Sequence, residues 1–342
     1  MRSLILGCAG PELSRAERLF FIDTDPFGFI LFQRNCESPE QIRMLTEDLR
    51  DCVGRHAPVL IDQEGGRVQR LKPPQWRAAP PAALFGTLYA EDPVRAEQAV
   101  RVNARLIAAE LMDCGVDVDC LPLLDVRQDG AHDVIGDRAF AYTPDIVARL
   151  GRAQAEGLAA GGVAPVMKHI PGHGRAGVDS HHALPRVDTE RDELAVIDFA
   201  PFKALKDLPM AMTAHVIYET LDSGRAATVS PTVIGEVIRQ EIGFDGLLMS
   251  DDISMKALAD PLDISTARAL EAGCDVVLHC NGDMTEMQTV AGAAPVLSGK
   301  ALSRAEMVLG FLDRIRRDAR PAVREELLSS FAELAGQNRA ST

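Results

Sequence analysis

Between Lys168 and His182 the sequence reads Lys-His-Ile-Pro-Gly-His-Gly-Arg-Ala-Gly-Val-Asp-Ser-His-His. Four imidazoles, an amine and a carboxylate are crowded into one short stretch. Histidine is the side chain whose ordinary titration falls near neutrality, so this stretch is equipped to carry and return protons. Pro171, Gly172 and Gly174 forbid a helix, which makes the segment a loop just after the apolar run Val163 to Met167. Two chemistries suit it. Metal binding would use the His169-x-x-x-His173 spacing, but that spacing needs a helix to put both rings on one face. General acid and base catalysis would use the Asp179-x-His181 pair, with Asp179 orienting the ring and raising its basicity. The second fits a helix-forbidding loop better.

Two further clusters carry acids. Asp62-Gln-Glu-Gly-Gly-Arg-Val-Gln-Arg70 sets two carboxylates and two arginines around a Gly-Gly turn. Acceptors and guanidinium forks in fixed directions suit a hydroxyl-rich ligand, although a salt-bridged loop would read the same way. Met249-Ser250-Asp251-Asp252 ends an apolar run in two adjacent acids, which delivers a carboxylate into a pocket instead of spreading charge over a helix face. Asp251 is expected to point inward while Asp252 caps the helix that follows.

These clusters need a scaffold. Apolar runs at Leu4 to Leu6, Gly28 to Phe32, Val59 to Asp62, Val116 to Pro122, Val163 to Lys168, Pro209 to Thr213, Leu247 to Ser250 and Asp275 to His279 read as eight strands. They are continuous, not alternating, as befits parallel strands buried on both faces. Helix signals separate several of them: Asp92-Pro93 through Leu111, Thr143-Pro144 to Gly161, Ser230-Pro231 to Gly243, and Ile264 to Ala272 before Gly273. The signal between the first two strands is weak. Two amphipathic segments, near Ser303 to Arg317 and Ala322 to Leu334, close the chain. The pattern predicts an α/β protein, one (β/α)8 TIM barrel over residues 1–342 with C-terminal helices about 303–336; a doubly wound open sheet is the minority reading. A barrel collects its catalytic groups at the carboxyl ends of its strands. Asp62, Lys168, His169, His215, Asp251, Asp252 and Asn281 all fall there.

The chain has 342 residues, 46% hydrophobic and 25% charged, with a net charge of −14. An acidic surface excludes non-specific binding to nucleic acid or to an anionic membrane. Seven cysteines with no Cys-x-x-Cys pair read as reduced, buried thiols. The start, Met-Arg-Ser-Leu-Ile-Leu-Gly-Cys, faintly resembles a lipoprotein cleavage box, but its apolar core is shorter than the roughly 7 residues a signal peptide needs. A first buried strand is the expected reading there, and the cytoplasm the expected compartment.

Taken together, Lys168-His-Ile-Pro-Gly-His-Gly174, Asp179-Ser-His181, Asp62 to Arg70, Ile135-Gly-Asp-Arg-Ala-Phe140 and Ser250-Asp-Asp-Ile-Ser-Met255 resemble the bacterial β-N-acetylhexosaminidases of glycoside hydrolase family 3. The resemblance runs in order from about Leu4 to Gly282. It implies a retaining exo-β-N-acetylglucosaminidase acting on peptidoglycan fragments, chiefly GlcNAc-1,6-anhydro-MurNAc and its peptide-bearing forms, in cell-wall recycling. Asp251 would be the nucleophile and His181, held by Asp179, the acid/base. Asp62, Arg70, Arg138, Lys168 and His169 would bind the sugar. No cofactor or metal is implied, the partner is a small-molecule muropeptide, and a monomer is expected. Ile170 departs from the phenylalanine common in the family, and Arg175 to Val178 is variable; neither removes a functional atom. The rivals are a phosphorylase of the same family and a metal-dependent barrel amidohydrolase, although the latter's His-x-His after the first strand is missing.

Overall fold

All eight apolar runs become strands of one closed parallel barrel in the computed structural model, which describes residues 1–130, 133–177, 184–258, 260–319 and 323–336. In chain order these are β1 (Arg2–Leu6), β2 (Pro26–Leu31), β3 (Val59–Ile61), β4 (Val118–Asp119), β5 (Ala164–Ile170), β6 (Met210–Thr213), β7 (Leu247–Asp252) and β8 (Val276–His279). Each strand pairs with its neighbours in sequence, and the barrel closes where Leu4 of β1 stands opposite Val277 of β8. The open-sheet reading is thereby excluded.

Strand parity organises the core. Side chains alternate between faces with a period of two. On β5, Ala164 and Val166 join the cluster inside the barrel, as do Leu247 and Met249 on β7, Leu60 on β3, and Val276 and Leu278 on β8. Their neighbours Met167, Leu248, Ile61 and Val277 pack outward against the helices. Extending each inner series by two residues reaches Lys168, Asp251, Asp62 and Cys280, so the alternation that fills the barrel also aims these groups at its mouth.

The outer layer follows the sequence signals with three corrections. Helix Arg15–Thr24, between β1 and β2, is well specified: Ser14 and Glu17 form a reciprocal capping box, and Glu17 also accepts from Ala9 N at 2.9 Å. The Ser-x-x-Glu spacing was the available signal. Helix Pro93–Asp113 is capped by Asp92 as expected, whereas Thr143 makes no side-chain cap for Pro144–Ala160. Val233–Ile242 winds as a π-helix ending at Gly243 with φ +76°. At the carboxyl end of the chain, Gly299–Asp318 and Arg324–Leu334 run close to their expected bounds, the latter packed on Pro93–Asp113. All seven cysteines are buried and unpaired. Among the described residues, no helix is long and apolar enough to cross a membrane.

Candidate active site

At the carboxyl ends of the strands lies a cavity of about 230 Å³, lined by Asp62, Glu64, Arg70, Arg138, Lys168, His169, His173, Asp251 and Asp252, with Phe32, Met212 and Cys280 among its apolar walls. Six of the eight residues singled out by sequence therefore share one cavity. The other two, Asp179 and His181, lie outside the described residues.

The polar floor is an ion-paired lattice. Lys168 is only 2% exposed, and its Nζ reaches Asp62 Oδ1 at 2.8 Å and Glu64 Oε1 at 2.7 Å. Arg70 donates to Asp62 Oδ2 at 2.9 Å, and Arg138 grips Glu64 through two parallel bonds of 2.8 Å. Burial opposes ionisation of both acids, and the facing cations overcome it. Lys168 and Arg70 hold Asp62 well below the ordinary carboxylate range; Arg138 and Lys168 bring Glu64 down to about 2. Glu64 belonged to a cluster that the sequence marked, yet no separate role pointed to it. Its partner Arg138 is 74 residues away.

The loop from Asp62 to Arg70 is held from beneath. Gln63 Oε1 accepts from Arg70 N at 2.9 Å and Leu71 N at 3.0 Å, which folds the loop back on itself. Gly65 and Gly66, with φ +95° and +58°, make the turn that a side chain would strain. Asp119 Oδ1 accepts from Gln63 N at 3.0 Å, while its buried Oδ2 has no partner among the described residues. Burial, aided by Asp62 and Glu64, pushes the Asp119 carboxyl up to about 8. The folded state thus keeps a proton there that the unfolded chain releases near the ordinary value of about 4. Stability linked to that proton is full below about pH 4 and is lost as pH rises toward 8. Asp119→Asn retains an acceptor for Gln63 N–H and is expected to remove this loss. Urea midpoints of the two proteins should diverge from pH 5 to pH 8, in favour of the variant; parallel profiles would refute the assignment.

The adjacent acids of β7 have different surroundings. Asp252 Oδ2 accepts from Ser254 Oγ at 2.8 Å, and its Oδ1 from Ser254 N at 3.1 Å and Cys280 N at 3.3 Å. Asp252 therefore joins the ends of β7 and β8. It does not cap the following helix, which begins only at Leu262. Asp251 Oδ1 accepts from Asp252 N at 2.8 Å and the rest of its carboxylate faces the cavity. Burial raises its pKa, but His215 and His169 prevail and hold it below the usual carboxylate value. His215 is locked by Thr228 Oγ1 at 2.7 Å and by donating to the Asp252 carbonyl at 2.9 Å. Asn281, by contrast, turns away to bond Glu286.

Lys168 and His169 stand on β5 itself, not on a loop beyond it, because the strand runs on to Ile170. The glycine-rich segment then leaves the barrel. Its described limb is tied down by a hydrogen bond from Tyr218 to the Gly172 carbonyl and by Arg175, ion-paired with Asp198 at 2.7 Å. Gly174 is pressed so closely to the chain after β4 that a Cβ there would sit 1.9 Å from the Val126 carbonyl oxygen. Gly174→Ala should therefore cost about 1–3 kcal/mol of stability, read as a lower denaturant midpoint, with a matching loss of activity. An unchanged midpoint would refute the close approach. His173 is buried and lines the cavity; burial, then His169 beside it, pushes its pKa down to about 4, so the ring is neutral at pH 7.

A closed parallel barrel that gathers an oriented carboxylate, an ion-paired lattice of donors and acceptors, and imidazoles at its strand ends defines a barrel enzyme. Residues 14–307 match the glycosyl hydrolase family 3 N terminal domain, and the chain belongs to that family of glycoside hydrolases. It is 44% identical over 284 residues to a β-hexosaminidase of Alkalilimnicola ehrlichii, covering 81% of this chain and 80% of that one. With a β-hexosaminidase of Bordetella avium it shares 38% identity over 319 residues, 92% and 87% of the two chains. Among solved structures, native NagZ from Neisseria gonorrhoeae superposes with a TM-score of 0.86 at 31% identity, covering 97% of both chains. The same protein in complex with N-trifluoroacetyl-D-glucosamine superposes with a TM-score of 0.85 at 30% identity, over 98% of this chain and 97% of that one.

Proposed function

We propose that the protein is a β-N-acetylhexosaminidase that removes terminal β-linked GlcNAc from peptidoglycan fragments, GlcNAc-1,6-anhydro-MurNAc with or without peptide, in cell-wall recycling. The reaction retains anomeric configuration through a covalent glycosyl-enzyme. Asp251 attacks the anomeric carbon, while His181, oriented by Asp179, protonates the departing oxygen and then activates the water that releases the sugar. Asp62, Arg70, Arg138, Lys168 and His169 hold the ring. The enzyme works as a monomeric single catalytic domain, residues 1–342, in the cytoplasm.

The observation that carries this reading is the division of labour between neighbouring acids. Both acids line the cavity, but Asp252 spends both oxygens on Ser254 and Cys280, whereas among the described residues Asp251 accepts only through Oδ1, from Asp252 N. A cavity of about 230 Å³, below the ~300 Å³ lower bound of pockets for drug-sized ligands, suits one saccharide ring and hence exo attack. The ion-paired lattice offers donors and acceptors together, as sugar hydroxyls require. The relatives' shared name, β-hexosaminidase, supports the N-acetylhexosaminide specificity. Hydrolysis is preferred to phosphorolysis because Arg70, Arg138 and Lys168 are each already paired with Asp62 or Glu64.

A slow fluorinated N-acetylglucosaminide should leave a covalent sugar on the peptide containing Asp251. A label on Asp252 would overturn the nucleophile assignment. Product analysis at millimolar phosphate should yield free GlcNAc, not GlcNAc-1-phosphate, and chelators should leave the rate unchanged.

A further inference from the structure

Asp125 is a buried acid that the reaction as written does not use. It follows β4, where Leu123 bridges to Lys168 in parallel fashion and Leu124 N donates to the Lys168 carbonyl at 2.7 Å. This continuation of the β4–β5 pairing brings Asp125 beside His169. Its carboxylate is fully buried, with no exposed surface. Oδ2 lies 2.7 Å from His169 Nδ1, and Oδ1 accepts from His169 N at 3.2 Å and from His173 N at 2.7 Å. Burial favours the neutral acid, yet His169 outweighs it and the pKa of Asp125 is lowered.

We infer that Asp125 is a positioning residue that places a proton on His169 Nδ1, turns Nε2 of that ring toward the sugar, and anchors the root of the loop leading to Asp179 and His181. The inference rests on the glycosidase reading above and extends it to a second Asp-His pair in the same cavity. A carboxylate has only acceptors to offer, so the nitrogen facing it must carry hydrogen. In the neutral ring Nε2 is then a bare acceptor. Among the described residues Nε2 has no protein partner, and His169 lines the cavity, so a ligand hydroxyl that donates is what it can recognise. The bond to His173 N ties the same carboxylate to the first turn of the glycine-rich loop. One acid thereby holds both a sugar-facing ring and the first turn of the glycine-rich loop.

Asp125→Asn tests this with little change in shape. The amide oxygen can keep the bond to His173 N, but the amide nitrogen then faces His169 Nδ1 and donates to it. That forces the proton to Nε2 and converts the sugar-facing atom from acceptor to donor.

Long-range ¹H–¹⁵N correlation spectra of the labelled wild-type protein should show His169 as the Nδ1–H tautomer, and Asp125→Asn should show Nε2–H. With an N-acetylglucosaminide substrate, kcat/KM should fall about 100-fold, in the range seen when the outer partner of a functional histidine is lost. A wild-type Nε2–H tautomer would overturn the inference. So would a folded variant that switches tautomer and yet keeps full kcat/KM. The wild-type spectrum needs neither substrate nor a folded variant, whereas the glycosidase reading is scored by wild-type turnover, so the two can fail separately.

Discussion

Asp251→Asn is expected to keep its fold and to cleave β-linked GlcNAc slower by a factor of about 10⁴ or more. Loss of a covalent nucleophile has reached about 10⁶ in the serine protease subtilisin, and an amide at this position can neither attack nor stabilise a positive anomeric carbon. The fold should hold because Asn keeps the oxygen that accepts from Asp252 N, but the lowered pKa of Asp251 means the folded state favours the ionised carboxylate, so stability at neutral pH should fall slightly. Sugar binding should survive, since Asp62, Arg70, Arg138 and Lys168 are untouched. Asp252→Ala should behave in the opposite way. It leaves the N–H groups of Ser254 and Cys280 without their acceptor, so the turn joining β7 and β8 loosens and thermal stability falls before chemistry does. Comparing kcat and the melting temperature of the two variants checks both assignments. A fully active Asp251→Asn protein would sink the mechanism.

His181→Ala carries the second large expected effect. General acid catalysis by a positioned side chain contributes about 10²–10⁴-fold, and that much of kcat/KM should disappear for a muropeptide, whose leaving sugar oxygen needs a proton. An aryl N-acetylglucosaminide with a nitrophenol leaving group departs without one. Its glycosylation step should therefore be nearly unaffected, and the covalent adduct should accumulate because water is no longer activated. A burst of nitrophenol followed by a slow steady state is the signature. Equal loss on both substrates would mean that the residue serves structure instead of proton transfer. Asp179→Asn should show the same pattern with a smaller amplitude.

Much of the architecture was legible because period and position encode it locally. Continuous apolar runs announced parallel buried strands, and all eight joined one barrel. Parity supports the inward placement of Asp251: counting by twos from Leu247 and Met249 reaches Asp251 and passes over Asp252. The capping box at Ser14 and Glu17 is equally local, so the helix between the first two strands is better specified than its weak apolar signal suggests. Asp125 left no such trace. It sits in an apolar run, Leu123-Leu124-Asp125-Val126, with no glycine, histidine or second acid to mark it.

Chain order alone specified eight strands, the face each one turns inward, and the acids and bases gathered at one end of the barrel. Those properties depend on a residue and its near neighbours, so a linear text can carry them. Which polar groups meet was decided in space: Glu64 with Arg138, Asp125 with His169, Asp252 with the Cys280 N–H. These groups lie 28 to 74 residues apart, and only closure of the barrel, with its fixed stagger between strands, brings them within hydrogen-bonding distance.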